Sequence, residues 1–163
     1  MFAVGDKVVY PMHGAGVIEA IEEHEVLGRR QSYYILAIPR GGMRVMIPLQ
    51  NVNTVGLRGV IDKTEVDKVV EVLASAPVQT GTSWNRRFNA NLAKIKSGSI
   101  FQVAEVVRSL TLQDRVKRLS AGERRLLETA RHIMVSELVL ASGRDPESVE
   151  SWVEGLVMST SGN

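Results

Sequence analysis

One short segment combines an aromatic ring with two guanidinium groups. Trp84 is followed by Arg86 and Arg87, and Phe88 comes next. An indole ring offers a surface on which a nucleobase stacks, and guanidinium groups bind phosphate oxygens. The residue types therefore indicate contact with a nucleic acid.

A second interpretation of Trp84 remains open. Trp84, Phe88, Leu92 and Ile95 share one face of a helix, and aromatic stripes more often pack in a core than bind a ligand. The ring nevertheless falls in the first helical turn, behind the linker 76–81, which contains Pro77 and Gly81. Because first-turn residues are the least enclosed, this position favours an exposed ring.

The charge distribution points in the same direction. The net charge is only +2, but residues 84–131 hold eleven Lys or Arg against four acids, a local balance of +7. The segment from residue 132 onward has a net charge of −4. A basic block of this kind is typical of a surface that meets a polyanion, although solvated helix faces would give a similar pattern. Its cations are Arg86, Arg87, Lys94, Lys96, Arg108, Arg115, Lys117, Arg118, Arg124, Arg125 and Arg131.

Catalytic and metal-binding patterns are weak. The chain has no cysteine, and His13, His24 and His132 have no second ligand at metal spacing. The glycines of residues 14–16 do not continue into a dinucleotide-binding loop, so we interpret this segment as a turn. We therefore predict no metal, no cofactor, no small-molecule substrate and no enzymatic activity.

Two halves of the chain differ in their periodicity. Before residue 59, four runs rich in Val, Ile and Tyr are separated by turn residues, which predicts short strands in a small SH3-like or Tudor-like barrel. From residue 59 onward, apolar residues recur at helical spacing behind cap residues. The fold prediction is α+β with two domains, a barrel over 1–58 and a compact all-α domain of about five helices over 59–163. The four strand runs are 7–10, 16–21, 33–38 and 44–47.

The helix starts are marked by cap residues. Asp62 with Glu65 and Ser120 with Glu123 match capping boxes, while Thr82 or Ser83, Ser99 and Asp145 match single caps. No segment matches a signal peptide or a membrane helix, so we expect a cytoplasmic protein with no membrane partner.

Several segments together resemble the CarD family, including its CdnL-type members, over essentially the whole chain. They are 4–11 (VGDKVVYP) with the following HG, 45–48 (VMIP), 84–87 (WNRR), 104–108 (AEVVR), 119–123 (LSAGE) and 135–138 (VSEL). The resemblance implies a bacterial transcription regulator whose barrel binds the β subunit of RNA polymerase. It also implies that the helical domain contacts promoter DNA at the upstream edge of the bubble, without sequence specificity.

The resemblance also assigns roles to individual residues. Trp84 matches the family's wedge, which enters the minor groove where the duplex opens, and Arg86, Arg87 and Arg124 match basic positions beside it. Lys94 belongs to the same basic block and completes the predicted DNA-binding set. Met46 and Pro48 match polymerase-contact positions, and His24 stands where some relatives have Arg. We expect the protein to be found with RNA polymerase on the nucleoid.

Two alternatives remain at this level. One is an interaction adaptor that binds polymerase without touching DNA. The other arises because similar barrels occur in the transcription-repair coupling factor, although the helices after residue 59 and the lack of a helicase loop argue against it.

Overall fold

The computed structural model describes residues 1–76 and 83–161. Its N-terminal part is one five-stranded antiparallel sheet, in which the strands lie side by side in the order fourth, third, second, first and fifth along the chain. In the third strand, residues 34–38 alternate between buried and half-buried, as expected for a sheet with one face on a core. The strands are β1 (Lys7–Tyr10), β2 (Gly14–Val26), β3 (Arg29–Ile38), β4 (Met43–Pro48) and β5 (Arg58–Gly59).

The sheet has a small core of its own and the Tudor-like architecture that the sequence predicts. Buried Ile18, Tyr34, Leu36 and Ile47 are among the side chains that fill it. The β2–β3 hairpin is longer than predicted and ends at Leu27, which is exposed and has a φ of 52°. A turn of 3-10 helix (Leu49–Asn51) and the short helix α1 (Val52–Val55) connect β4 to β5.

The prediction of a turn at residues 14–16 is wrong, because β2 begins at Gly14 and the turn lies at residues 11–13. Close packing explains these glycines. A β-carbon on Gly16 would stand 2.1 Å from the carbonyl oxygen of Ala37 on β3. One on Gly14, where φ is +117°, would stand 2.9 Å from the Ser136 hydroxyl. The absence of side chains thus lets the sheet approach its neighbours.

The second part contains five long helices in the region that the structure describes, in agreement with the prediction. Both capping boxes, Asp62 with Glu65 and Ser120 with Glu123, are formed. Thr82, the alternative start of the second helix, and residues 77–81 lie outside the described residues. The helices are α2 (Lys63–Ala74), α3 (Trp84–Lys96), α4 (Ile100–Val116), α5 (Ala121–Ser142) and α6 (Pro146–Ser161).

Helix α5 links the two parts. It packs with α2, α3, α4 and α6 on a continuous apolar core that includes Ile95, Val107, Met134 and Leu138. Its C-terminal half also faces β2, where Ser136 Oγ accepts a hydrogen bond from the Ala15 amide at 2.8 Å. The sheet and the helices therefore present their outer surfaces in a defined relation to one another.

Candidate functional site

Trp84 lies at the start of α3 and its ring is at the surface. Ser83 caps the helix, and the Trp84 residue is 42% exposed, whereas Ile95 at the other end of the stripe is 1% exposed. The interpretation of Trp84 as a core residue is therefore wrong. Its ring stacks on Phe88 with a centroid distance of 5.0 Å and an interplanar angle of 18°. Phe88 thus covers part of one indole face, and the residue as a whole stays partly exposed.

The indole N–H is also engaged within the protein. It donates a hydrogen bond to Glu123 Oε1 at 3.1 Å. This bond joins the first residue of α3 to the first turn of α5, so the segments 84–87 and 119–123 form one corner of the helical domain. No local spacing in the sequence indicates this contact, because Trp84 and Glu123 are 39 residues apart.

Glu123 is buried, at 3% exposure, and accepts several hydrogen bonds at once. The Gln113 side-chain amide donates to Oε2 at 3.0 Å, and the Ser120 hydroxyl lies 3.1 Å from Oε1. Burial raises the pKa of this carboxyl, but the hydrogen bonds from Gln113, Trp84 and Ser120 together lower it below its ordinary value of 4.5. Glu123 is therefore a carboxylate at neutral pH.

The predicted cations differ in their surroundings. Arg86 and Arg124 are exposed at the corner around Trp84, and Arg87 is half-buried there. Lys94 lies ten residues further along α3, and its ammonium is paired with Glu105 at 3.1 Å. The structure thus groups three of the four basic residues with the ring and places Lys94 two to three turns away.

The corner is electropositive for a second reason. Helices α3 and α5 both begin there, and the free amides of a helix start carry a partial positive charge. Arginines in a first turn add to this positive potential. Each such arginine destabilises an isolated helix by about 0.3–1 kcal/mol. Arg86 and Arg124 occupy such positions. An arrangement that is unfavourable for the helices alone suits an anionic partner.

Two supports of the ring are not evident from the sequence, in which Phe88 is part of an apolar stripe and Glu123 is a capping partner. Gly122 also contributes, because a β-carbon there would lie 3.2 Å from the Phe88 ring. The glycine leaves room for Phe88 beneath Trp84.

The predicted polymerase-binding residues share the outer face of the sheet. Met46 pairs with Ile35 and Pro48 pairs with Tyr33 across β3 and β4. The His24 ring meets the edge of Tyr33 at a centroid distance of 5.7 Å, and its Nε2 lies 2.9 Å from Glu22. Met46 is 49% exposed. These residues form an apolar face with a polar margin. Ile35 is an unpredicted, half-buried member of this face, and Tyr33 on the same side of the sheet is buried at 9% exposure.

The face lies at one side of the sheet, because β4 is an outermost strand.

In residues 1–76 and 83–161, no three His, Cys, Asp or Glu side chains converge as metal ligands would. None of the helices described has the length and apolarity needed to cross a membrane.

Two family models match most of the chain. The model described as "CarD-like/TRCF RID domain" matches residues 2–61, and the model described as "CarD, C-terminal domain" matches residues 68–154. The Bacillus subtilis (strain 168) protein named "Putative transcription factor YdeB" is 37% identical over 152 residues, which is 93% of this chain and 99% of that protein. The similarity thus includes both halves in the same order.

Two solved structures are also similar to part of the chain. The 72-residue N-terminal domain of Myxococcus xanthus CarD is 36% identical, with 36% of this chain and 79% of that chain covered and a TM-score of 0.32. The structure named CdnLNt, from the same organism, is 48% identical, with 39% and 89% covered and a TM-score of 0.33.

Proposed function

Because the chain belongs to the CarD family of transcription factors, we propose that it binds both RNA polymerase and promoter DNA and stabilises the open complex. The sheet, residues 1–58, would dock on the β subunit. The corner around Trp84 would contact DNA at the upstream edge of the bubble. The observation that carries the DNA part is the exposed indole ring of Trp84 between first-turn guanidinium groups.

The geometry of Trp84 limits how it engages DNA. Phe88 stacks on one face of the ring, and the Trp84 residue is 42% exposed. We therefore expect the ring to pack against one base or base pair and not to insert between two. Packing of the ring on a base is most favourable where base stacking is already broken, because unstacking an intact base-pair step costs a few kcal/mol. A bubble edge supplies such a step.

The strength of this contact is sufficient for regulation. Stacking of a base on an aromatic side chain contributes about 1–3 kcal/mol, which shifts an equilibrium between closed and open complexes by roughly 5- to 150-fold. The arginines at the corner bind phosphates, which position the protein without reading sequence. We therefore expect action at many promoters.

The outer face of the sheet suits a protein partner. Met46 and Ile35 expose apolar surface beside Pro48, and Glu22 and His24 border it. An apolar centre with a polar margin is the usual anatomy of a protein interface. We place the contact with the β subunit on this face.

Footprinting tests the proposal directly. Polymerase and promoter DNA are incubated with and without the protein, and permanganate reactivity of unpaired thymines is read at the upstream bubble edge. We expect increased reactivity with the wild-type chain and loss of the increase with W84A, while the β subunit is still captured. Equal reactivity with both chains contradicts the proposed DNA contact.

The adaptor alternative predicts a different result. A chain that binds only polymerase has no affinity for forked DNA in the absence of polymerase. A chain that contacts phosphates binds forked DNA by itself, and this binding weakens as the salt concentration rises. Titration of forked and duplex DNA at two salt concentrations separates the two functions.

A further inference from the structure

One buried carboxylate joins three segments of the helical domain at the Trp84 corner. The Glu123 carboxylate accepts hydrogen bonds from the Trp84 indole N–H at the start of α3, from the Gln113 amide near the end of α4 and from the Ser120 hydroxyl at the cap of α5. A capping box alone needs only the contacts between Glu123 and Ser120. The bonds from Trp84 and Gln113 are additional.

The chain contains a second capping box for comparison. In α2, Glu65 accepts a hydrogen bond from the backbone amide of Asp62 at 3.3 Å, and Asp62 is exposed while Glu65 is half-buried. Glu65 has the same position in its helix as Glu123, but it is neither buried nor bonded to an aromatic ring. Burial and the additional bonds therefore distinguish Glu123 from a residue that only caps its helix.

The charge of Glu123 also requires a reason. A carboxylate beside a surface that meets phosphates opposes binding through like-charge repulsion. Glu123 is the one acidic residue in the segments 84–87 and 119–123. Arg86, Arg87 and Arg124 lie in these segments or directly beside them. The hydrogen bond from the indole N–H to Glu123 explains why an acid stands here. A half-exposed ring without such a bond samples several rotamers.

We propose that Glu123 is a positioning residue for Trp84, holding the indole in the orientation in which its free face meets DNA. This inference rests on the proposed function. The ordering of the ring is completed during folding, so DNA binding does not have to supply it, and affinity rises accordingly. Phe88 supports the covered face and Glu123 fixes the edge, so the two contacts together define the ring plane.

The test uses the full chain with W152F, which leaves Trp84 as the single source of indole fluorescence and indole N–H resonance. Three variants are compared in this background: E123A, E123Q and the matched control E65A. E123Q keeps an oxygen acceptor for the indole N–H, whereas E123A removes it. E65A removes the same position from the other capping box and does not touch Trp84.

We expect E123A to shift the Trp84 emission, to raise its quenching by acrylamide and to weaken forked-DNA binding by about 2- to 10-fold. E123Q should keep the emission and most of the affinity, and E65A should keep both. Without any substitution of Glu123, the indole N–H of the W152F chain should exchange with solvent more slowly than that of free tryptophan. This last measurement stands even if E123A fails to fold.

Two outcomes overturn the inference. One is fast indole exchange in the W152F chain, and the other is unchanged emission and affinity in a folded E123A chain. Either result, combined with a loss of binding in W84A, rejects the role of Glu123 and leaves the proposed function standing. A W84A chain that binds forked DNA as well as the parent does rejects the proposed DNA contact itself, whatever the spectroscopic results are.

Discussion

The guanidinium of Arg58 and the carboxylate of Glu137 form two hydrogen bonds of 2.7 Å each between the last strand of the sheet and helix α5. Glu137 is fully buried and also accepts the Ile61 amide at 3.0 Å, while Arg58 Nε donates to the Gly98 carbonyl at 2.7 Å. The pair thus connects β5, the turn that follows α3, and α5 at the junction of the two parts.

Loss of Arg58 should destabilise the protein more than neutralisation of Glu137. R58A leaves a buried carboxylate without its cation, which costs about 3–5 kcal/mol of unfolding free energy. E137Q keeps the volume and an acceptor for Ile61, and the partly exposed Arg58 can reach water, so we expect about 1–2 kcal/mol. Urea unfolding monitored by circular dichroism measures both.

The pair Arg44–Glu19 provides the matched control. It spans 2.8 Å, but its side chains are 72% and 42% exposed. Because exposed ion pairs contribute little, R44A should change the unfolding free energy by less than about 1 kcal/mol. A loss in R44A as large as that in R58A would contradict the role assigned to burial.

Trp84 should control promoter opening more than overall stability. W84A removes a half-exposed ring, so we expect the open-complex lifetime to fall by roughly 5- to 150-fold while the unfolding free energy changes by about 1 kcal/mol. W152F is the control, because Trp152 is partly buried against the helical core and contacts Arg144. It should leave the lifetime unchanged. Equal lifetimes for W84A and the wild type would remove Trp84 from the mechanism.

The architecture and most helix starts were predictable because they depend on local signals. Period-two and period-3.6 patterns and the cap residues Asp62, Ser99 and Ser120 act over a few residues. The site was only partly predictable. Trp84 and Arg86 are neighbours in sequence, but the contact between Trp84 and Glu123 depends on how α3 packs against α5. Glycines 14 and 16 were misinterpreted for the same reason, since their neighbours Ser136 and Ala37 are distant in sequence.

Arg124 and Lys94 should contribute unequally to DNA binding, although both belong to the basic block. Arg124 is exposed at the corner, so R124A should lower the slope of log K against log salt by about 1. Lys94 is already paired with Glu105, so K94A should change the slope less. Fluorescence titrations of forked DNA over a salt series measure both. Equal changes would indicate that the Lys94 pair opens on binding.

A charge on the outer face of the sheet should abolish polymerase binding. M46E introduces a carboxylate at the centre of the apolar face, where it would lose its hydration in the complex, and we expect at least a tenfold loss of affinity for the β subunit. V116E is the matched control, because Val116 is an exposed valine in the helical domain, at 89% exposure. It should bind the β subunit normally. Capture of the β subunit by M46E at wild-type strength would reject this face.

Acid should weaken the Trp84 corner through Glu123. Hydrogen bonds from Gln113, Trp84 and Ser120 outweigh the effect of burial and hold the pKa of Glu123 below the ordinary 4.5. A carboxyl whose pKa is lower in the folded chain than in the unfolded chain stabilises the fold fully above the unfolded pKa. That contribution is lost as the pH falls from about 4.5 through the folded pKa. Urea unfolding at a series of pH values should therefore show a smaller loss of stability in E123Q than in the wild type below pH 4.5.

A fluorescence measurement gives a second test. In the W152F background, the Trp84 emission of the chain with Glu123 should shift over the same pH interval, and the emission of the E123Q chain should stay constant. Identical pH profiles for the two chains would show that the carboxylate is not bonded as the structure describes.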